Sequence, residues 1–136
     1  MNSTQTYAEV QMSGLSEKEL ETRALIRTAS ALNSIKENWD EKKSELPQAL
    51  EKERRLWTII ASAMGEPDCP QDNSIKVNII NLSIFIFKRI NMLLASTDPK
   101  PEQLDILIDI NMNIARGLSE GIAQQQTEAV GTKQEL

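Results

Sequence analysis

Apolar side chains recur every three or four residues in four stretches of this chain, and this spacing constrains the fold more than any other feature. Such a spacing places the apolar side chains on one face of an α-helix. No stretch keeps up an alternation of apolar and polar residues, and neither Asn-Gly nor Asp-Gly, the usual hairpin signals, occurs. The sequence therefore predicts an all-α fold, a small bundle of about four helices joined by short loops.

Capping residues and prolines place the ends of the first two helices. Ser16 followed by Glu19 forms a capping-box pattern, which predicts that the first helix begins there and ends near Asn38. Pro47 suits the first turn of a second helix, and Gly65, with a proline two residues later, is expected to end it.

The third and fourth helices are separated by the stretch "TDPKP". Asn73 or Ser74 is predicted to cap the third helix, and Gly117 to end the fourth. After residue 118 the apolar periodicity is lost, which predicts a tail or a frayed extension of the helix. The predicted organisation is a polar N-terminal segment (residues 1–15), one helical bundle domain (residues 16–118) and a C-terminal tail (residues 119–136).

Charge and cysteine content narrow the partners and the compartment. The 136 residues carry 20 acidic and 15 basic side chains, a net charge of -5, which gives no general attraction for nucleic acid or anionic lipid. Cys69 is the single cysteine, so an internal disulfide is impossible and a reducing, cytoplasmic location is expected. Charged and asparagine side chains interrupt the most apolar stretch, residues 75–94, which is therefore not expected to span a membrane.

The residues that usually perform catalysis or bind metals are scarce. The chain has no histidine, the commonest general base and metal ligand. Asp105 and Asp109 would share a helix face, but that face is opposite the apolar stripe, where solvated carboxylates are expected. Cys69 follows Asp68 and has no cation beside it, which favours an unreactive thiol. We therefore expect neither enzymatic activity nor a bound cofactor or metal.

Trp57 lies beside the densest basic cluster, "KERR" at residues 52–55, and two interpretations compete. Guanidinium groups next to an aromatic ring can bind RNA by stacking. However, Glu53 interrupts the cluster, and Trp57 falls on the apolar stripe of its helix. We expect Trp57 to anchor the core at the edge of a partner surface, with Arg54 and Arg55 directed to solvent or to carboxylates of a partner. A fully internal Trp57 is the alternative.

Two polar residues, Glu53 and Asn111, stand at stripe positions where apolar residues are expected. A buried polar group without a hydrogen bond costs roughly 1–3 kcal/mol. We therefore predict that Asn111 bonds either a helix backbone or Glu53, and so fixes the register of the helices. Contact with a partner is the alternative.

The third helix has more apolar positions than a single core contact requires. One stripe comprises Ile75, Ile79, Leu82, Ile86, Ile90 and Leu93. A second stripe, spaced by three, four and three residues, comprises Val77, Ile80, Ile84 and Phe87. A helix that is apolar on two sides is either central to its own bundle or covered by another chain. The second stripe therefore indicates a groove for a partner helix, a dimer interface, or a central third helix.

Four segments of the chain resemble a known family. They are "YAEV" (residues 7–10), "RRLWTII" (residues 54–60), "IINLSIFIF" (residues 79–87) and "LIDINMNIARGL" (residues 107–118). In this order and spacing they resemble the flagellar biosynthesis regulator FlaF, a family of small alphaproteobacterial proteins. The similarity covers residues 7–118. Met112 departs from the family, which often has a basic residue at that position, and the tail is longer than expected.

The resemblance implies a cytoplasmic, non-enzymatic factor required for flagellin production and flagellum assembly. The family is associated with binding flagellin as a secretion chaperone and with post-transcriptional control of flagellin synthesis, opposite to the regulator FlbT. An acidic helical domain with surplus apolar surface suits a flagellin helix better than mRNA, and direct RNA binding is not expected. The alternative is a regulator that acts on flagellin mRNA directly or through FlbT.

The expected partner-binding surface is a groove along the third helix, completed by residues near Trp57. Met112 is included because its departure from the family would alter binding if that position contacts the partner. The predicted partner-binding residues are Arg54, Arg55, Trp57, Val77, Ile80, Ile84, Phe87 and Met112.

Overall fold

Four long helices account for most of residues 16–135, the part of the chain whose backbone this computed structural model describes; side chains are described through Glu120. The helices are α1 (Glu17–Glu37), α2 (Leu46–Met64), α3 (Asn73–Ala95) and α4 (Asp105–Glu135). One helical turn (Trp39–Lys42) and a 3-10 turn (Lys43–Glu45) join α1 to α2, and a second 3-10 turn (Pro101–Leu104) leads into α4. Residues 16–135 contain no strand, so the all-α prediction is confirmed.

The predicted ends of α1 and α2 are confirmed. The backbone N–H of Glu19 donates to the Ser16 hydroxyl at 3.1 Å, which satisfies one of the free donors at the start of α1. Asn38 is the C-cap of α1, and Pro47 lies in the first turn of α2, where its missing N–H has no intrahelical partner to lose. Gly65 caps the end of α2.

Two predicted helix ends are wrong. Asn73 and Ser74 both lie within α3, and Asp72 occupies the N-cap position without a side-chain hydrogen bond. Gly117 lies inside α4, which continues to Glu135. Glycine ends a helix by adopting a left-handed backbone conformation, and no glycine in the described part of the chain has a positive φ.

Consecutive helices run antiparallel. The Lys36 ammonium at the end of α1 lies 2.7 Å from the Asp105 carboxylate at the start of α4, so these two helices also run in opposite directions. Arg54 in the middle of α2 reaches Asn91 near the end of α3. The result is an up-down-up-down bundle in which α1 packs along α4 and α3 packs along α2.

The core is formed by apolar side chains from all four helices. Trp57 is its largest member and has no exposed surface. The other fully enclosed apolar side chains are Leu25, Leu32, Leu50, Ile86, Ile90, Leu104 and Leu107. Their spacing by three, four or seven residues within each helix is the stripe that the sequence shows.

Helix α3 lies on the outside of the bundle and makes its main packing contact with α2 alone. It buries Ser83, Ile86, Ile90 and Leu93, whereas Ile75, at the start of the same stripe, is 42% exposed. The alternative of a central third helix is therefore wrong. Helical periodicity shows that two sides of α3 are apolar, but it does not show which side faces a neighbour.

Candidate functional site

A polar network links α2 to α4 inside the core. The Asn111 amide nitrogen donates to Glu53 Oε1 at 2.6 Å and lies 3.5 Å from the Leu25 backbone carbonyl of α1. The Trp57 indole N–H donates to Asn111 Oδ1 at 2.9 Å. The prediction that Asn111 bonds Glu53 or a helix backbone is confirmed, because it bonds both.

Glu53 is fully buried, and only one of its carboxyl oxygens has a partner. Oε2 makes no hydrogen bond to any described residue. Burial raises the pKa of Glu53 to about 7, while the polar N–H groups of Asn111 and Trp57 act in the opposite direction. Near neutral pH the carboxyl is therefore protonated in a large fraction of molecules, because an isolated charge is costly in this environment.

Trp57 is enclosed by this network and by the core around it. Its indole ring has no exposed surface, so it has no face to offer a partner. The prediction that Trp57 anchors the core is correct, but its placement at the edge of a partner surface is wrong in this structure. The physical reason is that its N–H finds its acceptor in Asn111, on the inside.

The two arginines before Trp57 differ in their surroundings. The Arg54 guanidinium donates to Asn91 Oδ1 at 2.6 Å and lies 3.5 Å from the Glu51 carboxylate, so it ties α2 to α3. Arg55 is exposed. Of the two arginines predicted to face solvent or a partner, only Arg55 is directed to solvent without these contacts.

The side of α3 that faces away from α2 carries exposed apolar side chains. We call Val77, Ile84, Phe85 and Met92 the α3 face; Val77 is 55% exposed and Ile84 46%. The other two residues of the predicted stripe, Ile80 and Phe87, are half-buried, and Phe87 packs against the core. The sequence stripe therefore identified half of the exposed surface.

Phe85 and Met92 are the members of the α3 face that the sequence stripes missed. Phe85 lies between Ile84 and Ile86, which point in different directions, and the spacing rule assigned it to neither stripe. The Arg89 guanidinium lies 5.6 Å from the centre of the Phe85 ring, a cation–π contact on the surface. A count of all apolar positions around the helix would have revealed this third side.

An apolar cleft opens at the end of the bundle where α1 begins and α2 ends. Its volume is about 360 Å³. Lys18 and Glu21 of α1 lie beside this cleft. Partial burial and the Glu17 carboxylate raise the pKa of Glu21, and the positive charge of Lys18 reduces this increase. Its apolar lining comes from three helices and consists of Ile60, Met64, Ile75, Ile79, Ile114 and Leu118. We call it the end cleft.

Met112 belongs to neither surface. It is 37% exposed on α4, whereas α3 packs mainly on α2. Its predicted role in partner binding stays a prediction.

The possible metal ligands among the described residues are dispersed. Within them, no three His, Cys, Asp or Glu side chains converge closely enough to hold a metal ion. Asp105 pairs with Lys36, Asp109 is exposed, and Cys69 is a half-buried thiol in the loop between α2 and α3.

By length and composition alone, α3 could cross a membrane, and it is the one helix of the described chain that could. Most of that stretch is not buried in the bundle. The stretch carries Lys88 and Arg89, so a span would bury these two charges in lipid. The expectation of no membrane contact stays a prediction.

A comparison with protein families assigns most of the chain. The family model described as flagellar protein FlaF matches residues 3–118, which include α1, α2, α3, the first part of α4 and both surfaces described above. No curated protein and no solved structure matches the chain significantly.

Proposed function

This chain belongs to the FlaF family of flagellar proteins, and we propose that it binds flagellin and accompanies it to export as a chaperone. The site would be the α3 face, against which an amphipathic helix of flagellin lies. The observation that carries the proposal is the exposure of four large apolar side chains along one helix in a protein of a flagellar family. Exposed apolar patches of this kind are typical of interaction surfaces.

The length of the α3 face suits a helical partner. Val77, Ile84 and Met92 are separated by seven and eight residues, so the face extends over about four helical turns. A partner helix can place side chains at spacings of three and four residues against such a row. The half-buried Ile80 and Phe87 would form the floor beside it.

The charge of α3 indicates what should flank the apolar residues of the partner. The protein as a whole has a net charge of -5, but Asn73–Ala95 contains Lys76, Lys88 and Arg89 and no acidic residue. A partner helix with carboxylates beside its apolar stripe is therefore complementary to this face. Its binding should weaken moderately with salt and retain an apolar component.

The alternative, a regulator that acts on flagellin mRNA directly or through FlbT, has less support for its RNA-binding form. RNA contact would depend on the basic cluster near Trp57, where Arg54 is engaged by Asn91 and Glu51 and the indole is buried. Arg55 alone is a poor platform for stacking and phosphate contact. Control of flagellin synthesis is then best explained indirectly, through holding or releasing flagellin.

The test is the light-scattering mass of the purified protein, alone and mixed with monomeric flagellin at moderate salt. We expect a one-to-one complex. Ile84→Asp and Phe85→Asp should each abolish it while helical content, measured by circular dichroism, is unchanged. Phe87→Asp is less suitable, because Phe87 packs against the core and its loss would destabilise the fold.

Ile26→Asp is the matched control, because Ile26 is an exposed isoleucine, 40% accessible, on α1 instead of α3. It should leave the complex intact. Binding that survives both α3 variants would place the flagellin site elsewhere. A dimer of the protein alone, lost in Ile84→Asp, would instead identify the α3 face as a contact between two copies.

A further inference from the structure

The end cleft lies where the first described residues of the chain enter the bundle. Ser16 caps α1, and Lys18, in the first turn of that helix, lines the cleft. Fifteen residues precede Ser16 in the sequence. Their attachment point is therefore at the cleft's rim, and any segment close to it needs no long connection to reach the apolar lining.

These preceding residues have the length and the side chains to fill the cleft. An extended chain covers about 3.3 Å per residue, so nine residues can span roughly 30 Å. Residues 7–15, "YAEVQMSGL", include four large apolar side chains, Tyr7, Val10, Met12 and Leu15, and one charge, Glu9. The family match begins at residue 3, so this segment belongs to the same matched unit as the helices.

We propose that residues 7–15 of the same chain bind in the end cleft, against Ile75 and Ile79 of α3 and Ile114 and Leu118 of α4. Attachment at Ser16 makes the binding intramolecular, with an effective concentration in the millimolar range or above for a short connection. The free energy comes from covering apolar lining that is otherwise in water. The segment thereby joins the start of α3 to α4, two elements with little direct packing between them.

The test is a paramagnetic relaxation measurement on the full chain. A nitroxide is attached through Glu9→Cys in a Cys69→Ser background, so that position 9 carries the only thiol. We expect the methyl signals of Ile79 and Ile114 to be broadened, and those of Ile35, which lies among α1 and α2 residues at the other end of the bundle, to keep their intensity. Equal intensities at both ends would overturn the proposal.

Two further variants of the spin-labelled chain distinguish specific binding from chance proximity. Val10→Asp with Met12→Asp should restore the Ile79 and Ile114 signals. Gly117→Trp should do the same by filling the cleft, because Gly117 lines it and a Cβ there meets no heavy atom within 4 Å. The latter variant also replaces a helical glycine, so it is not expected to impair folding. Broadening that persists in both would overturn the proposal.

A mixed sample tests whether the segment comes from another copy. Spin-labelled chain without isotopes is mixed with isotope-labelled chain without a nitroxide. Broadening of Ile79 in this mixture as strong as in the single-chain sample would overturn the intramolecular assignment, whereas full intensity supports it. All these measurements use the protein without flagellin. A negative result would therefore overturn the proposal for residues 7–15 without affecting the flagellin proposal, and a failure to bind flagellin would not affect the proposal for residues 7–15.

Discussion

The interface between α2 and α4 and the outer side of α3 invert the usual distribution of residues. The former encloses a carboxyl group and an amide, Glu53 and Asn111, with no access to water. The outer side of α3 exposes large apolar side chains to water, among them Ile84 and Phe85. In an ordinary soluble bundle each would occupy the other's place.

The two regions are under different constraints. In the core, Asn111 makes its hydrogen bonds only when Glu53, Trp57 and the Leu25 carbonyl are all next to it. The network therefore stabilises one register of α1, α2 and α4. Outside, the α3 face makes no comparable contact within the described chain. The buried polar network thus determines how the helices of the monomer pack, whereas the exposed apolar surface is suited to binding another molecule.

Breaking the internal network should cause a large loss of stability. Asn111→Ala should lower the free energy of unfolding by about 3 kcal/mol, because it removes the hydrogen-bond partners of the Trp57 N–H and of Glu53 Oε1 in a buried site. Urea unfolding followed by circular dichroism measures this. Asn113→Ala, two residues further along α4 at an exposed position, is the control and should change stability by less than about 0.5 kcal/mol.

The pH dependence of stability tests the protonation of Glu53. Its pKa is raised from 4.5 to about 7 on folding, so the folded chain binds more protons than the unfolded one between these pH values. The contribution of Glu53 to the free energy of unfolding is therefore fully present below pH 4.5. As the pH rises to 7 and above, the free energy of unfolding decreases by up to about 3 kcal/mol.

Glu53→Gln sharpens the same measurement. A glutamine keeps the acceptor for Asn111 and cannot ionise, so we expect a flatter stability profile and a more stable protein at pH 8, by about 1–2 kcal/mol. If the wild type shows no loss of stability between pH 5 and 8 relative to this variant, the carboxyl is ionised at little cost, and the inside of the bundle is more polar than its burial indicates.

The smallest expected effect belongs to the α3 face. Ile84→Asp should change the free energy of unfolding of the isolated protein by less than about 0.5 kcal/mol, because the side chain makes few contacts there to lose. Ile86→Asp, two residues along the same helix and fully buried, should prevent folding. A large loss of stability in Ile84→Asp would remove the contrast between the two regions.

Much of the fold could be predicted from the sequence because local rules determine it. Ser16 binds a backbone N–H three residues away, and the apolar stripes mark the helices without reference to their neighbours. The bond between Asn111 and Glu53 was predictable for a related reason: each interrupts an apolar stripe, and buried polar groups need partners.

The candidate surfaces were harder to predict because they depend on how the helices are arranged. Trp57 and Ile84 both lie on apolar stripes, yet one is enclosed and the other is exposed, and only the packing of α3 on α2 decides this. The end cleft draws its lining from helices far apart in the sequence, as Ile60 of α2 and Leu118 of α4 show. Gly117 was misassigned because a glycine permits a helix to end but does not require it.

The packing of the first long helix on the last has a consequence for how the protein is made. The Leu25 carbonyl and the Asn111 amide that meet in the core are 86 residues apart. At a bacterial synthesis rate of up to about 20 residues per second, several seconds pass between the synthesis of α1 and the synthesis of the part of α4 that covers its apolar side. During that interval the side of α1 that packs on α4 in the finished protein is still uncovered.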